Sequence, residues 1–201
     1  VLAWHQADSV RARALLAEAL EIARAHGDQA MTASILNNLG IVSGDLGDYA
    51  GARALYEEGL AIVRRLGDRA RIAGLLHSLG SVVGVLGEDA EAGDLLAESL
   101  AIYREIGNTE GIAAALHNLA SVRRKSDGAD ATRARYLESL ALARSVDAHP
   151  TIAASLDALG ALACEAGDFA AARGLLTEAL ARESEMDDPR GVAQTLEHLA
   201  D

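Results

Sequence analysis

Between residues 28 and 67 the chain reads Leu36-Asn37-Asn38-Leu39-Gly40, then Gly47-Asp48, then Ala52-Arg53-Ala54-Leu55-Tyr56-Glu57-Glu58-Gly59-Leu60. Apolar residues three and four apart, on either side of a Gly-Asp pair, describe two amphipathic helices and the turn between them. Gly ends the first helix in the left-handed conformation, and Asp caps the second by accepting from its free N–H groups.

Shifting the sequence by 40 residues brings it into register with itself without gaps. The units are 28–67, 68–107, 108–147 and 148–187, with part of a unit before them (1–27) and part after (188–201). Leu39, Leu79, Leu119, Leu159 and Leu199 coincide, as do Leu36, Leu76, Leu116, Leu156 and Leu196. In the second half of the unit Leu20, Leu60, Leu100, Leu140 and Leu180 coincide, two residues after Glu18, Glu58, Glu98, Glu138 and Glu178. The Gly-Asp signal recurs as Gly27-Asp28, Gly67-Asp68, Gly87-Glu88, Gly107-Asn108 and Gly167-Asp168. Pro150 and Pro189 fall in the first turn of a first helix, where a missing N–H is harmless. Ser126-Asp127-Gly128-Ala129 inverts the order and predicts an irregular turn in the third unit. Gly40, Gly80, Ala120 and Gly160 share one slot of the first helix; Ala52, Ala92, Thr132 and Ala172 share one of the second. Small residues at a crossing let two helices approach at the short end of the usual ~8–10 Å. The fold class is therefore all-α, a solenoid of antiparallel helix pairs in which each unit touches mainly its neighbours.

Composition agrees. Of 201 residues, 43 are Ala and 30 are Leu, half are apolar, and only 3% are aromatic. That is too apolar for a disordered chain and too poor in aromatic and β-branched residues for an all-β fold. Cys164 is the single cysteine, so no intrachain disulfide can form. The net charge of −12 opposes nucleic acid, which needs a basic field. No apolar run is long enough to span a membrane. One cysteine and no visible export signal lead us to expect a cytoplasmic protein. Seventeen Arg against one Lys, with much Ala and Gly, suggest a GC-rich bacterial genome.

Leu36-x-x-Leu39-Gly40 followed by Ala52-x-x-x-Tyr56, with its counterparts at Leu76, Leu79, Gly80, Ala92 and Leu96 and at Leu156, Leu159, Gly160, Ala172 and Leu176, resembles the tetratricopeptide repeat. The common repeat has about 34 residues. The 40-residue form is similar to that of kinesin light chains, Pins-type polarity scaffolds and bacterial regulators of the maltose-activator type. Leu36 stands where the usual motif has Trp, and its terminal Pro is absent. The resemblance covers essentially the whole chain as a single solenoid, 1–201. It implies a right-handed superhelix of about five units whose first helices line a concave groove.

Carried over by register, the groove holds Asn37, His77, His117 and Asp157 in one slot, Asn38, Ser78 and Asn118 in the next, then Ser81 and Ser121, and further on Arg124 and Lys125. These positions lie off the Ala33/Leu36/Leu39 stripe, so helical spacing also makes them the outward face of the first helix. Gly44 and Gly84 share a slot there, which implies close packing or close ligand approach, since Gly costs a helix up to about 1 kcal/mol. An Asn amide both donates and accepts, and can pair with an extended peptide backbone. In the resembling families Asn in this slot clamps peptides in that way. Arg123-Arg124-Lys125, near Arg133 and Arg135, is the one basic run and suits a ligand carboxylate.

Catalysis is not expected. Ser81, His77 and Asp157 could be assembled into a triad on paper, but no nucleophile elbow or oxyanion hole accompanies them. His77 and His117 sit a full repeat apart, far more than the ~2.1 Å at which donors hold a metal. No phosphate loop, HExxH or EF-hand pattern occurs, and no cofactor is implied. Glu165 beside Cys164 disfavours a reactive thiolate.

The expected function is a non-catalytic module binding a protein or peptide segment. The alternative is a sensor or oligomerisation domain of a larger bacterial signalling ATPase or transcription regulator. Val192, Leu196 and Leu199 of the last helix lack a following helix to cover them, so a longer protein or end-to-end association with a second copy is expected.

Overall fold

The computed structural model describes residues 2–186 and 188–200, which form eleven helices and no strands. The helices gather into two compact units, Val1–Ile106 and Gly107–Asp201, divided at the Gly107-Asn108 turn between repeats.

In the first unit α1 (Leu2–Ala25) precedes two helix pairs, α2 (Gln29–Asp45) with α3 (Tyr49–Leu66) and α4 (Arg69–Val85) with α5 (Asp89–Ile106). Each turn is encoded locally. At the end of α2, Gly47 adopts φ 81° and its N–H donates to Gly44 O, while the Asp48 N–H donates to Ser43 O, both at 2.9 Å. That pair of bonds satisfies carbonyls the helix leaves open. Asp48 then accepts from the Gly51 N–H at 2.9 Å and opens α3. Asp28, Asp68, Asn108 and Asp168 do the same for the helices they precede.

The small-residue crossings are tight. A Cβ on Gly80 would stand 2.8 Å from Leu96 Cγ and 3.2 Å from the Ala92 carbonyl oxygen; one on Gly160 would stand 2.6 Å from Leu176 Cγ. Leu36, Leu76, Leu96, Leu156 and Leu176 are fully buried around these crossings. Burying such a side chain contributes about 1.5–3 kcal/mol. Ser99 Oγ donates to Ala73 O and Ser139 Oγ to Ala113 O, both at 2.8 Å, so two buried hydroxyls in equivalent slots each find a first-helix carbonyl.

The recurrent Glu of the second helices has a partner that periodicity alone did not identify. Arg24 donates to Glu58 at 2.6 Å, Arg64 to Glu98 at 3.0 Å and Arg144 to Glu178 at 2.6 Å, each across a separation of 34 residues. Consecutive second helices are thereby cross-linked on their exposed side, within each unit.

The second unit contains α6 (Thr109–Val122), a short α7 (Arg124–Asp127), α8 (Ala129–Ser145), α9 (His149–Glu165), α10 (Phe169–Glu185) and α11 (Pro189–Ala200). The irregular turn falls where the sequence places it. α6 breaks at Arg123 and α7 makes one turn. Gly128, at φ 82° and ψ 169°, then opens α8 in a conformation essentially restricted to glycine. Arg135 of α8 reaches back to Asp127 at 2.6 Å. The Ser126 hydroxyl, and after it Arg135, hold the Asp127 carboxyl below its ordinary range.

Candidate functional site

In the first unit the outward faces of α2 and α4 enclose a cavity of about 310 Å³ lined by Ala33, Ser34, Asn37, Asn38, Arg71 and Gly74 with Leu75. Asn38 is exposed and Asn37 half-buried at its rim. A Cβ on Gly44 would meet nothing within 4 Å, which removes close packing as the reason for that glycine. His77, Ser78 and Ser81 lie on α4, all half-buried. Burial holds the His77 imidazole below its ordinary pKa and so neutral. Ser81 Oγ donates to the His77 carbonyl at 2.8 Å, and Ser78 hydrogen-bonds the Tyr56 hydroxyl.

In the second unit the first helices α6, α9 and α11 frame a larger cavity of about 530 Å³. His117, Ser121, Arg124 and Asp157 all line it; Asn118 lies half-buried on α6 and Lys125 exposed on α7. The His117 ring lies 5.1 Å from that of Tyr136, whose hydroxyl hydrogen-bonds Ser121. A buried hydroxyl chain fixes the tautomer of His117. Ser139 donates to Ala113 O, so its oxygen accepts from Ser155 at 3.1 Å. Ser155 then has only an acceptor left for His117 Nδ1 at 3.3 Å, and Nδ1 carries the proton.

Arg124 pairs with Glu165, and Arg135 with Asp127, so two cations in and near the basic run already meet carboxylates of their own chain. Arg124, Cys164, Glu165 and Phe169 line an adjoining cavity of about 340 Å³, where Cys164 Sγ faces the His198 carbonyl at 3.8 Å.

Asp157 is 5% exposed and is bound by three side chains of α11. Gln194 Nε2 donates to Oδ2 at 2.9 Å; Thr195 Oγ1 lies 3.1 Å and His198 Nδ1 2.8 Å from Oδ1. Thr195 Oγ1 also lies 3.0 Å from Oε1 of Glu183, a carboxylate 4% exposed on α10. Burial above all, and then the neighbouring Asp157 and Asp188, push the Glu183 carboxyl above its ordinary pKa, against the Thr195 bond. A Cβ on Gly191 would come within 2.7 Å of Asp188 Oδ2 and 2.9 Å of Glu183 Cδ, so the glycine makes room for both side chains.

Glu183, Gln194 and Thr195 were not singled out from the sequence, although two of them left a signal. Glu183 occupies the slot of Ala23, Val63, Tyr103 and Ala143, and Thr195 that of Ile35, Leu75, Ala115 and Ser155. Polar groups in slots that are mostly apolar elsewhere mark a local departure from the repeat. Among the described residues no group of three or more His, Cys, Asp or Glu is arranged to hold a metal ion.

Paired helices joined by Gly-Asp turns, with polar first-helix faces and buried crossings of small residues, define a helical-repeat scaffold. The profile of the tetratricopeptide repeat matches residues 1–65 and 111–183, well over half the chain, and the chain belongs to that family. No curated protein matches the sequence significantly. Solved structures do match. A kinesin light chain from Podosopora anserina with nearly identical repeats is 19% identical, with a TM-score of 0.65 over 92% of each chain. A Rap protein complexed with competence and sporulation factor is 14% identical, with a TM-score of 0.82 over 96% of this chain and 54% of that one. A signal-transduction ATPase with a tetratricopeptide repeat sensor, from Pyrococcus horikoshii, is 19% identical, with a TM-score of 0.69 over 95% of this chain and 29% of that one. At these identities the likeness is one of fold. This chain spans about half of the Rap protein and under a third of the ATPase.

Proposed function

We propose that the chain is a non-catalytic, cytoplasmic binding module whose first-helix faces receive a peptide or protein segment. The observation that carries this reading is the placement of the two cavities described above. One lies between α2 and α4, and the other is framed by α6, α9 and α11, so both open on first helices and display polar groups. Asn37, Asn38, His77, Ser78 and Ser81 are the proposed contacts in the first unit. His117, Asn118, Ser121, Arg124, Lys125 and Asp157 are those in the second. Asn38 and Asn118 hold the ligand backbone, and Arg124 with Lys125 reads acidic features. The Rap neighbour, solved with a bound factor, supports such a use of the fold. The family is one of interaction scaffolds, which supports a role without catalysis.

The test is selection from an unbiased peptide library by the wild-type chain and by Asn38→Ala and Asn118→Ala variants. Enriched peptides that bind either variant several-fold more weakly are the expected result. Equal binding by all three proteins rules the clamp out.

The ATPase neighbour favours a second reading, in which the chain is the sensor or oligomerisation segment of a larger signalling protein. A cavity of about 530 Å³ falls within the range that takes small ligands. A thermal-shift screen with metabolites separates this from the first reading, since only a sensor responds to a small molecule without a peptide.

A further inference from the structure

Thr195 Oγ1 lies within hydrogen-bond distance of two buried carboxylates but has one hydrogen to give. If it donates to Asp157, Glu183 Oε1 has no donor, and the reverse leaves Asp157 with its bonds from Gln194 and His198. Glu183 has no such reserve. Its second oxygen, Oε2, is buried without a hydrogen-bond partner, and the side chain lines the larger cavity at 4% exposure. A buried carboxylate oxygen left without a donor is costly, and buried charges are normally paired.

Among the described residues, carboxylates predominate in the lining of the cavity. Asp157, Glu183 and Asp188 line the cavity, and the guanidinium facing them, that of Arg124, is already paired with Glu165. His117 and His198 also face it, the former donating to Ser155 and the latter bonded to Asp157. No group of donors there fits a metal ion among the described residues. The cavity, at about 530 Å³, is far larger than a single water requires. Among the described residues Glu183 Oε2 has no donor, and a positively charged donor with an organic body would fit both the carboxylate and the space.

We propose that the cavity between α6, α9, α10 and α11 binds an organic cation, an ammonium or guanidinium group, with Glu183 as its charge partner. Oε2 accepts from the cation, Asp157 and Asp188 add attraction at longer range, and the His117 and Tyr136 rings, which line the cavity, face the body of the ligand. The cation belongs either to a free amine or to a basic side chain of a bound peptide. The inference rests on the cavity alone and stands whether or not the Asn residues clamp a backbone.

Calorimetric titration of the 201-residue chain with agmatine, cadaverine and Nα-acetyl-lysine amide tests it, with Nα-acetyl-norleucine amide as the uncharged isostere. Saturable binding of at least one cation and none of the isostere is expected. Glu183→Gln weakens that binding by about 30-fold or more, the usual scale for removing one partner of a buried charge pair, while circular dichroism shows unchanged helix. Gly191→Ala crowds the Glu183 side chain without changing any charge and weakens binding independently. Glu98→Gln on the outer face leaves it unaltered. Binding by the simple amines but not by the capped lysine assigns the site to a free amine; equal binding by the capped lysine assigns it to a peptide side chain. No response at millimolar concentration, equal binding of the isostere, an unaffected Glu183→Gln, or a response to Mg²⁺ or Zn²⁺ alone overturns the proposal. Library peptides that bind through Asn38 or Asn118 without basic residues exclude a peptide side chain as the source of the cation and leave both the groove and a free-amine site standing.

Discussion

Glu183 is the residue at which the repeat and the chemistry part. In the equivalent slots Ala23, Val63 and Ala143 are buried and satisfied by packing, whereas a carboxyl there must find donors. Its pKa is raised in the folded chain, so between the ordinary Glu value near 4.5 and that raised value the folded state holds more protons than the unfolded one. Stability then falls as pH rises through this window. The groups that face it are Asp157 on α9, Asp188 at the start of α11, and Thr195, with His198 one bond further on. Glu183→Gln removes the titration. Its melting temperature should match wild type at the acid end of the window and exceed it at neutral pH. A gap that closes as pH rises would show that the carboxyl is already satisfied.

Two glycines make a second residue-scale contrast. Gly80→Ala forces a Cβ against Leu96 and the Ala92 backbone, and overpacking of this kind costs about 1–3 kcal/mol. Gly44→Ala meets open space, and better helix propensity should stabilise by up to about 1 kcal/mol. Urea denaturation of both variants checks the opposed signs. If Gly44→Ala also weakens peptide binding, the glycine admits a ligand.

The elements were the most legible part of the sequence. Leu36, Leu39 and Gly40, repeated every 40 residues, indicated helix, face and crossing together because one period served all three. The inverted Ser126-Asp127-Gly128 located the break before α8 for the same reason: an exception shows against a repeat. The Arg-to-Glu cross-links were half legible. Glu was visible as a column, but Arg24, Arg64 and Arg144 lie six residues further along the same helices, and nothing in a single helix joins them to the next. The polar cluster around Asp157 was not legible, because Asp157, Glu183 and Thr195 come from three helices at non-equivalent slots and meet only after packing. Register led us to expect Asp157 on the outward face of its helix, and gave no sign that α11 would bury it and bind it through three side chains. At the break, Gly128→Ala should destabilise by about 1–3 kcal/mol, because φ 82° with ψ 169° strains any Cβ. Differential scanning calorimetry gives the value, and an unchanged transition would mean that the turn relaxes without loss.

At the scale of the whole molecule, Leu196 is 49% and Leu199 38% exposed on α11, whereas the equivalent Leu36, Leu76, Leu156, Leu39, Leu79 and Leu159 are buried. Self-association through this face is the expectation that a mass measurement tests. Light scattering across a hundredfold concentration range, expressed about the micromolar scale, should show mass rising with concentration for wild type and a constant monomer for Leu196→Glu. A wild-type monomer throughout would count against self-association.

The Gly-Asp turns carry a kinetic consequence. Asp48, Asp68 and Asp168 each bond to an amide three residues away, and Gly47 and Gly167 each close on a carbonyl three residues back. Each of these corners is thus decided by a handful of neighbouring residues before distant parts of the chain meet. Such a chain has low contact order, and loop closure places little entropy in the way of its first contacts. Any one helix pair can therefore act as the nucleus, with growth proceeding outward from it in either direction. The same wiring makes the chain tolerant: an error in one corner delays its own pair and leaves the others free to begin.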